Sequence, residues 1–205
     1  MLQIREEVSF TRGHIIVRGK LVSRGQAKRA DYILYIKPNI PLALIEAKDN
    51  SHSVGDGMQQ ALDYATTLQI PFVFSSNGDG FVFHDGTGTG NATETTLALD
   101  AFPSPADLWA RYRAWKGLPP EAEEIVLQDY FDDGGKAPRY YQLTAVNAAI
   151  EAIAKGCDRV LIVMATGTGK TYTVFQIIWA AVESGPQETN PVFGRPQRAD
   201  RSDYG

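Results

Sequence analysis

The amino-acid sequence predicts an α/β protein, in which a mixed central sheet flanked by helices is followed by the beginning of a second α/β unit. Short segments rich in β-branched and aromatic residues run between residues 8 and 36 and again over residues 41–48, which is typical of strands joined by turns. Apolar residues at helical spacing over residues 58–68 precede an apolar, strand-like run at residues 71–74. Residues 160–182 then contain an apolar strand, a glycine-rich loop and an apolar helix, in that order.

The composition favours an ordinary globular protein and excludes several other classes. The chain has 205 residues, of which 43% are hydrophobic and 21% charged, so it has room for one complete domain and part of another. Since no apolar run approaches the roughly 20 residues that span a bilayer, we expect no membrane segment. Residues 1–7 lack the features of a signal peptide, and the single Cys157 cannot form an internal disulfide. Both observations predict a cytoplasmic protein.

Charge is distributed unevenly along the chain. The formal net charge is −4, but residues 1–48 hold nine Lys and Arg against four Asp and Glu, whereas residues 49–134 hold three against fourteen. The basic N-terminal part could face a nucleic-acid backbone, or its cations could simply solvate the edge of a sheet. Charge alone leaves both interpretations open.

Four regions are predicted from the distribution of turns, charges and apolar segments. We expect one domain over residues 1–118, an acidic linker over residues 119–135, the start of a second domain over residues 136–185, and a polar, proline-rich, disordered tail over residues 186–205. The first domain is predicted to end with a helix that Ser104 caps.

Three charged residues are predicted to converge at one end of the first sheet. Side chains alternate along a strand, so Glu46 and Lys48 point to the same side as Leu42 and Leu44. Asp31 opens the neighbouring strand, and a hairpin can return the chain so that the three groups meet. The alternative is a surface ion pair of Glu46 with Lys48 beside an unrelated turn aspartate.

The order of these residues resembles that of a known nuclease superfamily. An aspartate followed about fifteen residues later by Glu-x-Lys at the end of an apolar strand, here Asp31 and Glu46-Ala47-Lys48, resembles the PD-(D/E)XK nucleases. Gln60 and Tyr64, four residues apart on one helix face, resemble the Gln-x-x-x-Tyr element of the members tied to helicase motors. Over residues 19–85 the chain is similar to the N-terminal region of type I restriction enzyme motor subunits.

The resemblance implies a Mg²⁺-dependent endonuclease that hydrolyses phosphodiester bonds of double-stranded DNA. Asp31, Glu46 and the carbonyl of Ala47 would be the metal ligands, since Mg²⁺ prefers oxygen donors. Lys48 would orient the attacking water and offset charge on the phosphate, with Gln60 and Tyr64 beside it. The resemblance also implies methyltransferase and specificity subunits as partners, in the cytoplasm of a bacterium or archaeon.

Such nucleases commonly carry one more acidic residue on a helix before the first strand. Glu6 or Glu7 could take this role, although neither lies in a segment that predicts a helix.

A second constellation predicts a nucleotide site. A glycine-rich loop follows the apolar residues 160–164 and leads into a helix, so that its backbone N–H groups could hold phosphates. The residues of this loop that would bind the nucleotide are Thr166, Gly167, Thr168, Gly169, Lys170 and Thr171. Lys170 would reach the outer phosphates and Thr171 would bind Mg²⁺. The loop resembles the Ala-Thr-Gly-x-Gly-Lys-Thr form of superfamily 2 helicases, which implies that Gln142 contacts the adenine of ATP.

Hydrolysis of ATP by this chain is predicted to be negligible. A RecA-like ATPase needs further parallel strands, one of them ending in an acidic pair, and no apolar strand follows residue 185. The chain could therefore also be a catalytically inactive fragment that binds a nucleotide or a partner. A third interpretation is an autonomous repair-type nuclease.

Overall fold

The structure of the protein is a computed structural model, which describes residues 3–10, 15–18, 21–24, 27–90, 92–131 and 138–183. The predicted tail over residues 186–205 lies outside the described residues, as does part of the predicted linker.

Eight strands and five helices form within the described residues. The strands are β1 Gln3–Phe10, β2 Ile15–Arg18, β3 Leu21–Arg24, β4 Lys28–Lys37, β5 Ile40–Ala47, β6 Phe72–Ser76, β7 Phe81–Asp85 and β8 Glu94–Leu97. The helices are α1 Met58–Leu68, α2 Pro105–Lys116, α3 Glu123–Val126, α4 Tyr140–Ala154 and α5 Lys170–Glu183.

Six of the strands form one mixed sheet in the order β1-β4-β5-β6-β7-β8, and β2 pairs with β3 in a separate hairpin. β5 and β6 are parallel, whereas the other neighbours are antiparallel. A parallel pair needs a crossover connection, and α1 provides it. The mixed, helix-flanked sheet that the sequence predicted is therefore confirmed, and β5 is a central strand.

A bulge in β5 changes which face Leu42 occupies. Leu34 lies opposite Ala43 but Tyr35 lies opposite Pro41, so Leu42 is an extra residue in β5. Leu42 consequently packs with the core on the α2 side of the sheet, whereas Leu44 packs on the α1 side. The prediction that Leu42 shares a face with Leu44 is wrong, because an extra residue reverses the alternation.

Two hydrophobic cores cover the two faces of the sheet. Apolar residues of α1 at helical spacing pack on one face; they are Met58, Ala61, Ala65 and Leu68. The other face carries the aromatic residues of β6 and β7 against α2. The sequence signals for both helices are confirmed, since α1 has the predicted bounds and the Ser104 hydroxyl accepts the Asp107 N–H at 3.1 Å at the start of α2.

Helix α4 packs on the α2 face of the same sheet. Val146 and Ile150 of α4 belong to the core that contains Leu34 and Ile40. The Asn147 amide donates a hydrogen bond of 2.7 Å to the Asn39 carbonyl in the β4–β5 turn. These contacts join residues on the two sides of the predicted linker in one core.

The predicted buried strand over residues 160–164 is wrong. These residues form no strand, and Leu161 and Val163 are 88% and 86% exposed. Within the described residues no neighbouring strand pairs with this segment, so its backbone lacks the partners that a strand requires. The helix predicted after the loop is present as α5, beginning at Lys170.

Among the described residues, no helix is long and apolar enough to cross a membrane.

Candidate functional site

Asp31 links the ends of β4 and β5. It lies near the start of β4, not at its first residue as predicted, because β4 begins at Lys28. One oxygen of its half-buried carboxylate accepts the backbone N–H of Ala47 at 2.8 Å. Since Tyr32 lies opposite Ile45, this contact places Asp31 beside the segment that carries Glu46.

Glu46 is the most enclosed charged group of the site, with 1% of its surface exposed. Its Oε1 atom accepts hydrogen bonds from the Lys48 ammonium at 2.9 Å and from the Gln60 amide. Its Oε2 atom is buried and has no hydrogen-bond partner among the described residues. Burial raises the pKa of Glu46, and the nearby charge of Asp31 raises it further, against the opposing effect of Lys48.

Lys48 directly follows Ala47, the last residue of β5. It stays attached to the sheet because its backbone N–H donates a hydrogen bond of 2.8 Å to the Ser76 carbonyl. Its ammonium lies 3.3 Å from the Gln60 Oε1 atom. The hydrogen bond to Glu46 raises the pKa of Lys48, so its positive charge is retained.

Gln60 and Tyr64 of α1 extend this network. The Gln60 amide donates to Glu46 and lies 3.1 Å from the Tyr64 hydroxyl, while its carbonyl oxygen faces Lys48. The structure thus brings together Asp31, Glu46, Lys48, Gln60 and Tyr64 at the end of β5 and the start of α1.

The residues present fit a hard divalent cation. Within the described ranges no group of three or more His, Cys, Asp or Glu side chains is arranged to hold a metal. The predicted set is smaller, with two carboxylates and one backbone carbonyl, and its Glu46 carries a buried oxygen with no hydrogen-bond partner. An unpaired buried carboxylate oxygen is costly, and a cation would satisfy it.

Ser75 and Gly57 also border this network, and the sequence analysis missed both. Ser75 lies opposite Glu46 in the β5–β6 pair and is fully buried. The N–H of Gly57 donates to its hydroxyl oxygen at 3.1 Å. The only signal for Ser75 in the sequence is a polar residue at the end of an apolar strand, and Gly57 resembles an ordinary turn glycine.

Glu6 and Glu7 lie in strand β1, not in a helix. Both are exposed, and Glu7 pairs with Arg29 at 3.2 Å.

The second constellation lies at the starts of α4 and α5. Gln142, in the first turn of α4, donates from its amide to the Thr168 carbonyl at 3.0 Å and accepts the Arg139 N–H at 2.9 Å. Gly167 and Gly169 have φ angles of 77° and 85°, in the left-handed region that favours glycine. Gln142 therefore contacts the glycine-rich loop across a sequence separation of 26 residues.

The lysine of this loop contacts the loop itself. The Lys170 ammonium lies 3.3 Å from the carbonyls of Met164 and Ala165. Thr166, Gly167 and Thr168 line a cleft of about 790 Å³, which is also lined by residues of α4, β1, β4, α2 and the C-terminal end of α1. Thr171 follows Lys170 in the first turn of α5.

Comparison with known families divides the chain into two matched regions. Residues 3–92 match the family described as the N terminus of type I restriction enzyme R proteins. Residues 135–193 match the family described as the res subunit of type III restriction enzymes.

Curated relatives and a solved structure agree with the first match. The chain is 57% identical to the endonuclease subunit of the type I restriction enzyme EcoAI from Escherichia coli, over 86% of this chain and 22% of that protein. It is 28% identical to the EcoKI endonuclease subunit of E. coli K12, over 76% of this chain and 17% of that protein. A solved fragment of an HsdR subunit from Vibrio vulnificus YJ016 matches with a TM-score of 0.75 and 40% identity, over 88% of this chain and 33% of that one. The chain therefore spans about a fifth of the length of the curated relatives.

Proposed function

Since the chain belongs to the family of type I restriction enzyme R subunits, we propose that its first region is a PD-(D/E)XK endonuclease that hydrolyses DNA phosphodiester bonds with Mg²⁺. The observation that carries the proposal is Glu46, a buried carboxylate with one oxygen held by Lys48 and Gln60 and the other without a partner. The matches favour this function over an autonomous repair-type nuclease or an inactive fragment.

Asp31, Glu46 and the Ala47 carbonyl would hold Mg²⁺. The ion, when bound, supplies positive charge that stabilises the charge developing on the phosphate. The hydrogen bond from Ala47 N–H to Asp31 keeps the two strand ends together, so the carboxylates are preorganised.

The remaining members of the network orient groups near the scissile phosphate. The Lys48 ammonium can hold the attacking water by hydrogen bonding and offset negative charge on the phosphate. Gln60, which is exposed, contacts both Lys48 and Glu46 and connects them to the half-buried Tyr64. This arrangement favours Gln60 and Tyr64 as residues that face the DNA.

For the second region we propose ATP binding. The two left-handed glycines and the contact of Gln142 with Thr168 support a preformed loop that could hold phosphates. The adenine contact of Gln142, the phosphate contact of Lys170 and the Mg²⁺ contact of Thr171 are parts of this proposal. Double-stranded DNA and methyltransferase and specificity subunits are the proposed partners, in the bacterial cytoplasm.

Metal binding tests the nuclease proposal directly. We expect saturable Mn²⁺ binding by isothermal titration calorimetry for the wild-type chain and its loss in Asp31→Ala and in Glu46→Ala. Asp129→Ala is a control, because Asp129 is an exposed carboxylate outside this network, with its Oδ1 atom 3.8 Å from the Lys37 ammonium. The assigned site is refuted if a folded wild-type chain shows no saturable binding, or if the control loses as much affinity as the site variants.

A further inference from the structure

Gly57 and Ser75 enclose the part of the Glu46 side chain nearest the backbone. Ser75 is the partner of Glu46 in the parallel β5–β6 ladder, and both side chains are buried. Gly57 immediately precedes α1 and is also buried. Neither residue has a role in the nuclease chemistry proposed above.

The need for glycine at position 57 comes from space. Its φ of −81° and ψ of −12° are accessible to any residue, so the backbone conformation does not require glycine. A Cβ atom at this position would lie 2.9 Å from the Ser75 Oγ atom and 3.0 Å from the Glu46 Cγ atom. Because Ser75 and Glu46 are themselves buried, neither can move aside into solvent, and the start of α1 would have to shift.

A buried hydrogen bond attaches this point of α1 to the sheet. The Gly57 N–H donates to the Ser75 Oγ atom at 3.1 Å, and the Gly57 carbonyl accepts the Ala61 N–H at 3.0 Å. Gln60 lies three residues after Gly57, less than one helical turn away. The position of Gln60 over Glu46 therefore depends on how closely Gly57 approaches β5 and β6.

We propose that Gly57 and Ser75 are positioning residues of the metal site. They hold α1 against the sheet so that Gln60 binds the Oε1 atom of Glu46 and the Oε2 atom remains available to a divalent cation. The proposal deepens, and rests on, the nuclease function proposed above.

Gly57→Ala is expected to weaken Mn²⁺ binding about tenfold. The added Cβ must gain a few tenths of an ångström to reach ordinary contact distance. Changing a group that orients a metal ligand typically lowers metal affinity roughly 10–100-fold. Gly55→Ala is the matched control in the same loop, since among the described residues a Cβ there would have Val82 as its nearest contact, at an ordinary 3.7 Å. Its affinity is expected to stay within twofold of the wild type.

The measurement is titration calorimetry with Mn²⁺ on the whole chain, at a temperature where circular dichroism shows each variant to be folded. Equal affinities for Gly57→Ala and the wild type would overturn the proposal, even if Gly57→Ala melts at a lower temperature, because a purely structural role predicts that result. If Gly57→Ala does not fold, Ser75→Ala replaces it, with a severalfold loss of affinity expected and an unchanged affinity refuting the proposal.

Amide hydrogen exchange in the metal-free chain separates this proposal from the nuclease proposal. We expect the Gly57 amide to exchange at least tenfold faster in Ser75→Ala than in the wild type, because its buried acceptor is removed. The Ala61 amide should exchange faster in Gly57→Ala than in Gly55→Ala. Unchanged exchange in both comparisons would refute the positioning role, whereas absence of Mn²⁺ binding by the wild type would refute the metal site.

Discussion

Replacing Lys116 by methionine should destabilise the protein by leaving a buried carboxylate without its cation. Glu151 of α4 is 6% exposed; one of its oxygens accepts from the Lys116 ammonium at 2.9 Å and the other from the Tyr112 hydroxyl. Burial, with the charge of Glu151, also raises the pKa of Tyr112, so its hydroxyl stays protonated and able to donate. This network connects α4 to α2.

The magnitude follows from the burial of each partner. Removing one member of a fully buried ion pair costs about 3–5 kcal/mol. The Lys116 side chain is 27% exposed, so water can replace part of the lost interaction. We therefore expect Lys116→Met to lower the free energy of unfolding by about 2 kcal/mol, which corresponds to a Tm decrease of roughly 4–8 °C for a chain of this size.

Urea unfolding followed by circular dichroism measures this change, and a second substitution isolates its cause. Adding Glu151→Gln to Lys116→Met should recover more than half of the loss, because the buried charge is removed along with its partner. Arg29→Met is the control for an exposed pair with Glu7 and should cost less than about 0.5 kcal/mol. The reasoning is refuted if Lys116→Met is as stable as the wild type, or if the double variant is no more stable than the single one.

Three further predictions concern the metal site, the nucleotide loop and the core. Burial makes the pKa of Glu46 higher in the folded protein than in the unfolded chain. The free energy of unfolding therefore falls as the pH rises from the unfolded pKa through the folded pKa. Below the unfolded pKa the carboxyl group is protonated in both states, and no stability is lost. In EDTA, Glu46→Gln should thus have a higher Tm than the wild type at neutral pH and an equal Tm at low pH; a lower Tm at neutral pH would contradict this. Lys170→Ala should weaken binding of a fluorescent ATP analogue at least tenfold, while Lys155→Ala, at the end of α4, should leave it unchanged; similar affinities for both would exclude the phosphate role of Lys170. Phe74→Ala should lower the free energy of unfolding, measured in urea, by about 3–5 kcal/mol, since this buried ring stacks on that of Phe83 with the ring centroids 4.6 Å apart. A loss below about 1 kcal/mol would contradict this and show that neighbouring side chains fill the cavity.

Features that depend on near neighbours in the chain could be predicted from the amino-acid sequence alone. Helix α1 has the predicted bounds because its apolar residues recur at helical spacing. The Ser104 cap was predictable because it needs only the next three residues. Glu46 and Lys48 were expected to share one side because two residues along a strand restore the same direction, and their ammonium–carboxylate contact agrees with this. The hairpin expected between the two strands also placed Asp31 beside them, whereas a family resemblance was needed to add Gln60 and Tyr64.

Features that depend on residues distant in the chain become visible only in the folded protein. The bulge that moved Leu42 to the other face is a matter of register between β4 and β5. Residues 160–164 have strand-like composition, but a strand also needs a hydrogen-bonding neighbour, and the described residues provide none there. The close approach of Gly57 to Glu46 arises where a crossover helix meets two parallel strands, and no local pattern specifies it. Local signals act through neighbouring backbone and side-chain geometry, whereas these contacts require the sheet to be assembled first.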